Sequence, residues 1–172
     1  NNGTVEYDLD GNQGVFNATY HHLEIDNSTG TATAASALGV EGNLTITNGN
    51  LTLDNIALTL GGNFVLTSGT FVPGNGDHTV TGNWTETLGG VTTFEATAGK
   101  FTFNGAGSTI ISDADNGNKF FNLTSAGNPV TAGSNLDIDG DLEVTTGTMD
   151  MAGYDANVAK KTDVDGTLLI RS

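Results

Sequence analysis

Residues 37–46 read ALGVEGNLTI, residues 57–66 read ALTLGGNFVL, and residues 77–86 read DHTVTGNWTE. Each stretch has an apolar residue two positions before a glycine, then a polar residue, then an apolar or aromatic one. The glycines are 20 residues apart, at Gly42, Gly62 and Gly82. An in-phase repeat of this kind predicts short structural units that stack on one another.

The same pattern returns later in the chain, in 135–144 (NLDIDGDLEV) and 161–170 (KTDVDGTLLI). The first four copies also have a second glycine seven residues after the first, at Gly49, Gly69, Gly89 and Gly147. A glycine between short strands supplies the positive φ of a tight corner. We therefore expect the chain to turn at these glycines.

Apolar and polar residues alternate within each copy. Val40, Leu44 and Ile46 fall on one face of an extended chain, and Asn43 and Thr45 fall on the other. This period of two predicts β-strands, and the abundant Thr, Val and Ile favour them. Leu44, Phe64 and Trp84 occupy equivalent places, so they are expected to stack in the core.

Two architectures fit short strands at this spacing. An antiparallel sandwich need not repeat its sequence, whereas a parallel solenoid places equivalent residues above one another. The in-phase glycines favour an all-β, right-handed parallel β-helix of seven or eight coils, each of roughly 20 residues. No helical cap is evident at either end of the chain.

A longer repeat overlies the short one. The segment GTVEY at 3–7 matches GKFTF at 99–103, and GNLTITNG at 42–49 matches GDLEVTTG at 140–147. We therefore expect a single β-solenoid domain over 1–172, with a first super-repeat at 1–98 and a second, incomplete one at 99–172.

The charge balance excludes two classes of partner. The chain has 20 acidic and 5 basic residues, a net charge of −15, which repels nucleic acid and anionic lipid.

The chain has no Cys, and no apolar run reaches the roughly 20 residues that cross a membrane. The sequence begins with neither Met nor a signal segment, so we expect a processed product or an excised fragment.

Candidate metal ligands occur in the insertion 112–118, where Asp113, Asp115 and Asn116 precede a glycine. Ca²⁺ is the ion that such oxygen ligands would bind, but Asx-rich turns have the same composition. The acidic run Asp137, Asp139, Asp141 and Glu143 is interpreted as a solvated strand face. His21 and His22 are adjacent, which predicts one surface and one buried ring. No group of residues predicts a catalytic site, so we expect no enzyme.

Outward threonines such as Thr45, Thr47 and Thr52 resemble the ladders of ice-binding solenoids. Val65, Glu86 and Glu143 are predicted at equivalent outward positions, where they would break that array. Seven Asn-x-Ser/Thr sequons are also present, at Asn2, Asn17, Asn27, Asn43, Asn50, Asn83 and Asn122. Glycosylation would require a host with the necessary machinery.

The segments GTVEYD (3–8), GNLTITNGNLTLDNIALTLGGN (42–63), GNWTETLGGVTTF (82–94) and GKFTFNGAGSTI (99–110) resemble repeats of large secreted bacterial surface proteins. These are the filamentous-haemagglutinin-like or autotransporter-passenger-like adhesins, whose shafts are β-solenoids. The resemblance covers nearly the whole chain and implies an extracellular or cell-surface location.

The chain ends suggest how such a solenoid functions. The copy ending at Ile170 would be followed, in the pattern of the first super-repeat, by a segment like the chain's own start. We therefore expect solenoids to stack head to tail into an extracellular filament, a homopolymer in which the contacts are made by Thr4, Val5, Tyr7, Leu168, Leu169 and Ile170. The alternative is a shaft or repeat module of a large adhesin whose binding tip lies elsewhere. Glycans and other surface proteins are further candidate partners.

Overall fold

Parallel strands wind around one axis, and the strands of successive coils lie directly above one another. The fold is taken from a computed structural model, which describes residues 2–94, 96–127 and 129–171. It confirms the predicted parallel β-solenoid, with about eight turns of roughly 20 residues. The right-handed sense of the coiling stays a prediction.

Each coil contributes two or three strands. The first four coils contain β1 (Thr4–Tyr7), β2 (Gln13–Val15) and β3 (Thr19–Tyr20); β4 (His22–Ala34) and β5 (Leu38–Val40); β6 (Leu44–Leu53) and β7 (Leu58–Leu60); and β8 (Phe64–Leu66), β9 (Gly69–Val72) and β10 (Asp77–Val80). The next four contain β11 (Trp84–Glu86), β12 (Thr92–Phe94) and β13 (Lys100–Phe103); β14 (Ser108–Ile111) and β15 (Asn122–Ser125); β16 (Val130–Ala132), β17 (Leu136–Ile138) and β18 (Leu142–Val144); and β19 (Thr148–Asp150), β20 (Ala156–Val158) and β21 (Thr162–Val164). The last strand, β22 (Thr167–Leu169), pairs with β19.

Three sheet faces surround the core. The first face runs from β1 through β4, β6, β8, β11, β14, β16 and β19 to β22. The third face runs from β3 through β5, β7, β10, β13, β15 and β18 to β21. The second face contains β2, β9, β12, β17 and β20 together with the second halves of the long strands β4 and β6, which bend from one face to the next.

The core consists of columns of inward side chains. Leu44, Phe64 and Trp84 pair in register and are completely buried, which confirms the stack predicted for them. The rings of Phe64 and Trp84 are stacked with centroids 3.9 Å apart, and Phe71 and Phe94 form a parallel pair beside them. Large buried aromatic rings of this kind contribute much of the stability of a core.

The two sets of repeat glycines have different structural roles. Gly69 has φ +93°, so the second glycine of each copy does form the predicted left-handed corner. The φ of Gly62 is not in this region, so the same prediction was wrong for the first glycine. A Cβ at Gly62 would lie 2.5 Å from the carbonyl oxygen of Gly42 in the coil below. The first glycine is therefore needed because the backbones of adjacent coils pass very close together.

The equivalence of the five short copies holds only in part. Gly42, Gly62 and Gly82 stack directly, since the Gly62 and Gly82 amides each donate to the glycine carbonyl below, both at 3.0 Å. Gly140 lies at another corner, between β17 on the second face and β18 on the third, and its amide donates to Phe121. Likewise β1 is on the first face, whereas its sequence match, β13, is on the third. The matching segments of the two super-repeats thus occupy different faces.

The sixth coil has an irregular second face. A single 3-10 turn, Ala114–Asn116, replaces a strand there, and it is the only helix in the residues that the structure describes. Phe120 then forms an isolated parallel bridge to Ile138. No helix within the described ranges is long and apolar enough to cross a membrane.

Candidate functional sites

The C-terminal end of the solenoid exposes residues of the inward columns. Leu168 pairs with the buried Met149, so it continues a core column, yet it is only half-buried. Ile170 is 79% exposed. Together these two residues line an open, mostly apolar cavity of about 260 Å³, whose other walls are Leu142, Met151, Tyr154, Asp155, Ala156, Val158 and Thr162. Leu169 is half-buried and pairs with Asp150 on the outward side.

The N-terminal end shows a related arrangement. Val5 pairs with the buried Leu23, so it also continues a core column, but 45% of it is exposed. Thr4 on the same strand is exposed, and so are the nearby apolar side chains of Leu9 and Phe16. Strand β1 is the outermost strand of the first face at this end, as β22 is at the other.

Tyr7 differs from the other predicted stacking residues because its side chain is buried. Its hydroxyl is 2.9 Å from that of Tyr20 and accepts the amide hydrogen of Phe16, while the Tyr20 hydroxyl donates to the Phe16 carbonyl at 2.8 Å. Burial, followed by the hydrogen bond and proximity of Tyr7, raises the pKa of the Tyr20 hydroxyl. The tyrosine pair therefore fixes the corner of the first coil from inside.

The candidate metal ligands of the insertion take part in hydrogen bonds. Asp113 accepts from the amides of Gly89 (3.2 Å) and Gly90 (2.7 Å) in the coil below, and from the side chain of Asn116 (2.8 Å). Burial raises the pKa of Asp113, but these hydrogen bonds outweigh it and lower the pKa below its usual value. Asp115 instead accepts from Asn135 at 3.1 Å. Calcium binding here stays a prediction, and the hydrogen bonds alone account for the acidic and amide side chains.

Glu86 is a buried carboxylate that sequence reasoning placed on the surface. It pairs with the inward Leu66 and is 1% exposed, so its prediction as an outward residue was wrong. Its oxygens accept from the Trp84 ring nitrogen (2.6 Å), the Asn118 side chain (2.8 Å), the Asp113 amide (2.9 Å) and the Ser112 hydroxyl (3.2 Å). Burial raises the pKa of Glu86 in spite of these donors. The alignment of Glu86 with Ile46 and Leu66 in the repeat was the signal that could have identified it.

His78 is the buried histidine of this chain. It precedes the inward Val80 by two residues and is 1% exposed, with its ring centroid 4.5 Å from that of Phe101. Its Nδ1 accepts the amide hydrogen of Leu58 at 3.2 Å, and Nε2 has no hydrogen-bond partner among the described residues. Burial lowers the pKa of His78 to about 4.

The predictions for His21 and His22 were wrong in one respect, since both rings are half-buried. His22 Nδ1 accepts the amide hydrogen of Asn43 at 2.9 Å, and His21 Nδ1 lies 3.6 Å from a carboxylate oxygen of Glu41. Across the described parts of the chain, no three His, Asp or Glu side chains are grouped so that they could hold a metal ion.

Asparagine side chains form a ladder along the corner between the third and first faces. Asn43 Oδ1 accepts the amide hydrogen of Asn63 at 3.0 Å, Asn63 does the same for Asn83 at 2.8 Å, and Asn83 for Thr109 at 2.9 Å. Asn122 accepts similarly from Asp141 at another corner. Three sequon asparagines, Asn43, Asn83 and Asn122, therefore carry structural hydrogen bonds.

The residues of the acidic run 137–143 lie on different faces. Asp137 is on the second face, whereas Glu143 is on the third, where it pairs with Thr124. Glu143 therefore does not interrupt the threonines of the first face, contrary to expectation.

A further sequon asparagine, Asn27, is completely buried, and its side-chain amide donates to the Gly11 carbonyl at 2.7 Å.

Comparisons of the chain with protein-family models, with curated proteins and with solved structures found no significant match.

Proposed function

We propose that this protein is a structural subunit of an extracellular or cell-surface filament, in which solenoids stack head to tail through their terminal coils. The observation that carries the proposal is the exposure of core-column residues at both ends, Val5 at one and Leu168 with Ile170 at the other. Inside the solenoid each such residue is covered by the next coil. The surface that fits these columns best is therefore another coil of the same kind.

The chemistry of the ends supports association. Burial of apolar surface contributes about 25 cal/mol per Å², and outermost parallel strands offer backbone groups for pairing with another chain. A contact between two different ends of the same molecule is heterologous, and when it does not close into a ring it propagates as a filament. Val5, Leu168 and Ile170 would then be the central residues of the contact.

The charges at the two ends are not complementary. The final coil carries Lys160, Lys161 and Arg171 together with four aspartates, and the first coil carries Glu6, Asp8 and Asp10 without a basic residue. Association of the ends therefore depends on the apolar columns and the backbone groups. The net charge of −15 opposes side-by-side aggregation.

The first experiment is electron microscopy of the purified chain in near-physiological salt, with and without Ca²⁺. We expect thin, uniform fibres, and we expect Ile170→Asp to abolish them because it introduces a charge into the apolar end. Leu88→Asp is the matched control, since Leu88 is 54% exposed on the lateral surface. Monodisperse wild-type chains in both conditions would refute the proposal, and so would equal loss of fibres in both variants.

The alternative function is the shaft or repeat module of a large bacterial adhesin that presents a binding tip elsewhere. The same uncovered columns favour it, because further coils of one longer chain would bury Leu168 and Ile170 equally well. Glycans or other surface proteins would then be bound outside the coils described. Monomers in the microscopy experiment, together with greater stability of a chain extended by further repeats, would support this alternative.

A further inference from the structure

The three faces of the solenoid do not contain equal numbers of strands. Within the described residues, the first face has nine strands, from β1 to β22, whereas the third face has eight, from β3 to β21. The first and the last strand both lie on the first face. The described solenoid therefore extends one strand beyond a whole number of turns.

This extra strand restricts how a second copy can fit on the end. A copy stacked without rotation places its β1 above β22 and leaves the second and third faces one strand short. A gap of one strand spacing, about 4.8 Å, then opens above β20 and β21, whose backbone groups and apolar side chains stay uncovered. A copy rotated by one third of a turn places its β1 above β20, its β2 above β21 and its β3 above β22, which closes all three faces.

The rotation is possible because the three faces have similar dimensions. Each face of a coil contributes two inward residues, and successive pairs are four or five positions apart. In the third coil the pairs are Leu44 and Ile46, Leu51 and Leu53, and Leu58 and Leu60. In the last coil they are Met149 and Met151, Ala156 and Val158, and Thr162 and Val164. The cross-section is therefore close to a triangle with equal sides.

The chain itself has equivalent sequences on different faces. The segment GTVEY at 3–7 gives β1 on the first face, whereas its match GKFTF at 99–103 gives β13 on the third. The corner at Gly62 joins the third face to the first, whereas the corner at Gly140 joins the second to the third. The pattern of β1 is thus one that this solenoid accepts on more than one face.

The rotated contact also covers the exposed apolar side chains of both ends. Matching the second inward residue of each strand places Val15 above Val164 and Tyr20 above Ile170, while Val5 lies above β20. Val164 ends an inward column of the third face and is 41% exposed. Stacking without rotation covers Ile170 with Val5 but leaves Val164 exposed. Burial of apolar surface therefore favours the rotated contact.

We infer that stacked subunits are related by a rotation of about one third of a turn, so that β1 of each copy follows β22 of the copy below onto the second face. The inference rests on the proposed head-to-tail filament and specifies its contact. A second copy is the occupant because the contact continues the interface between coils inside the chain. One third of a turn beyond eight turns, at about 4.8 Å for each turn, gives an axial rise of about 40 Å for each subunit.

The test uses pairs of introduced cysteines, because the chain has no cysteine of its own. The rotated contact places Thr19 of one copy above Leu169 of the copy below, whereas stacking without rotation places Thr4 there. Thr4 and Thr19 are both exposed, and Leu169 is outward and half-buried. Neighbouring strands are about 4.8 Å apart, within the range of about 4.4–6.8 Å between the Cα atoms of a disulfide. The variant with Thr19→Cys and Leu169→Cys is therefore compared with the variant with Thr4→Cys and Leu169→Cys.

Fibres of each variant are oxidised mildly and separated by electrophoresis without reductant. We expect a ladder of covalent oligomers from the Thr19 pair and no ladder from the Thr4 pair. Helical reconstruction of wild-type fibres by electron microscopy should give a rotation of about 120° and a rise of about 40 Å for each subunit. The reconstruction measures the rotation even where a cysteine pair prevents assembly.

The outcomes separate the rotation from the filament itself. Fibres that form a ladder with the Thr4 pair, or with neither pair, would overturn the rotation and leave the head-to-tail filament standing. A reconstruction without rotation between subunits would do the same. Absence of fibres from the wild-type protein would overturn the filament and the rotation together.

Discussion

The buried His78 makes the stability of this solenoid sensitive to mild acid. Its pKa is about 4 in the folded chain, compared with 6.5 for an ordinary histidine. The unfolded chain therefore binds the proton first as the pH falls. On account of His78, the free energy of unfolding is highest above about pH 6.5 and decreases as the pH falls from 6.5 to 4. Below that range this residue causes no further change.

The magnitude follows from the difference between the two pKa values. One pKa unit corresponds to about 1.4 kcal/mol, so the whole loss is about 3 kcal/mol, of which about 2 kcal/mol falls between pH 7 and 4.5. Protonation also places a charge beside Phe101 and removes the Nδ1 acceptor of the Leu58 amide. The structure offers no compensating partner at Nε2 among the described residues.

The assay compares wild type with His78→Leu. Leucine is chosen because it already occupies the equivalent position 58 in the adjacent coil. The free energy of unfolding is measured by chemical denaturation at pH 7 and pH 4.5, and the histidine is titrated by NMR. Between pH 7 and pH 4.5 the free energy of unfolding of wild type should fall by about 2 kcal/mol more than that of the variant. Glu86, whose raised pKa acts in the opposite direction, is common to both proteins and cancels in the comparison.

A His21→Leu variant controls for the loss of a histidine outside the core. Parallel pH profiles of wild type and His78→Leu would refute the reasoning, as would an NMR titration of His78 near pH 6.5.

Three further predictions concern contacts between coils, and chemical denaturation at pH 7 measures each of them. Gly62→Ala should destabilise the fold by about 1–3 kcal/mol, because its Cβ would meet a backbone oxygen that cannot move away. The control is Gly39→Ala, whose Cβ would lie 3.6 Å from Thr19 and which should change the free energy of unfolding by less than about 0.5 kcal/mol. Equal effects of the two substitutions would contradict this account. Asn63→Ala should lower the free energy of unfolding by about 1 kcal/mol, because the Asn83 amide loses its acceptor. Asn63→Asp keeps an acceptor and should lower it by less. An alanine variant as stable as wild type would show that the asparagine ladder contributes nothing to stability. Glu86→Leu should cost about 3 kcal/mol, since it leaves several buried donors unpaired, and a stabilised variant would show that burying the carboxylate outweighs its hydrogen bonds.

Local sequence patterns were sufficient to predict the coil. The alternation around Val40, Leu44 and Ile46 gives a strand with one buried side, and the 20-residue spacing of Gly42, Gly62 and Gly82 gives stacked units. These features depend on interactions between neighbours in the chain or in the adjacent coil. The stacking of Leu44, Phe64 and Trp84 followed from them directly.

The face on which each strand lies could not be read from the same patterns. The corner sequence around Gly140 looks like that around Gly42, yet it joins the second face to the third. All corners have similar local chemistry, so the face depends on how many residues each earlier coil contains. Trp84, for example, pairs with Ile110, 26 positions later, rather than with a residue 20 positions later.

By itself, therefore, the sequence determined a parallel β-solenoid and the alternation of buried and exposed residues along its strands, because a period of two and an in-phase repeat are encoded locally. Only the tertiary structure decided that Glu86 and His78 lie in the core and that Glu143 lies on the third face. The reason is that a side chain's environment in a solenoid is set by the coils above and below it, whose positions depend on the accumulated lengths of all the preceding turns.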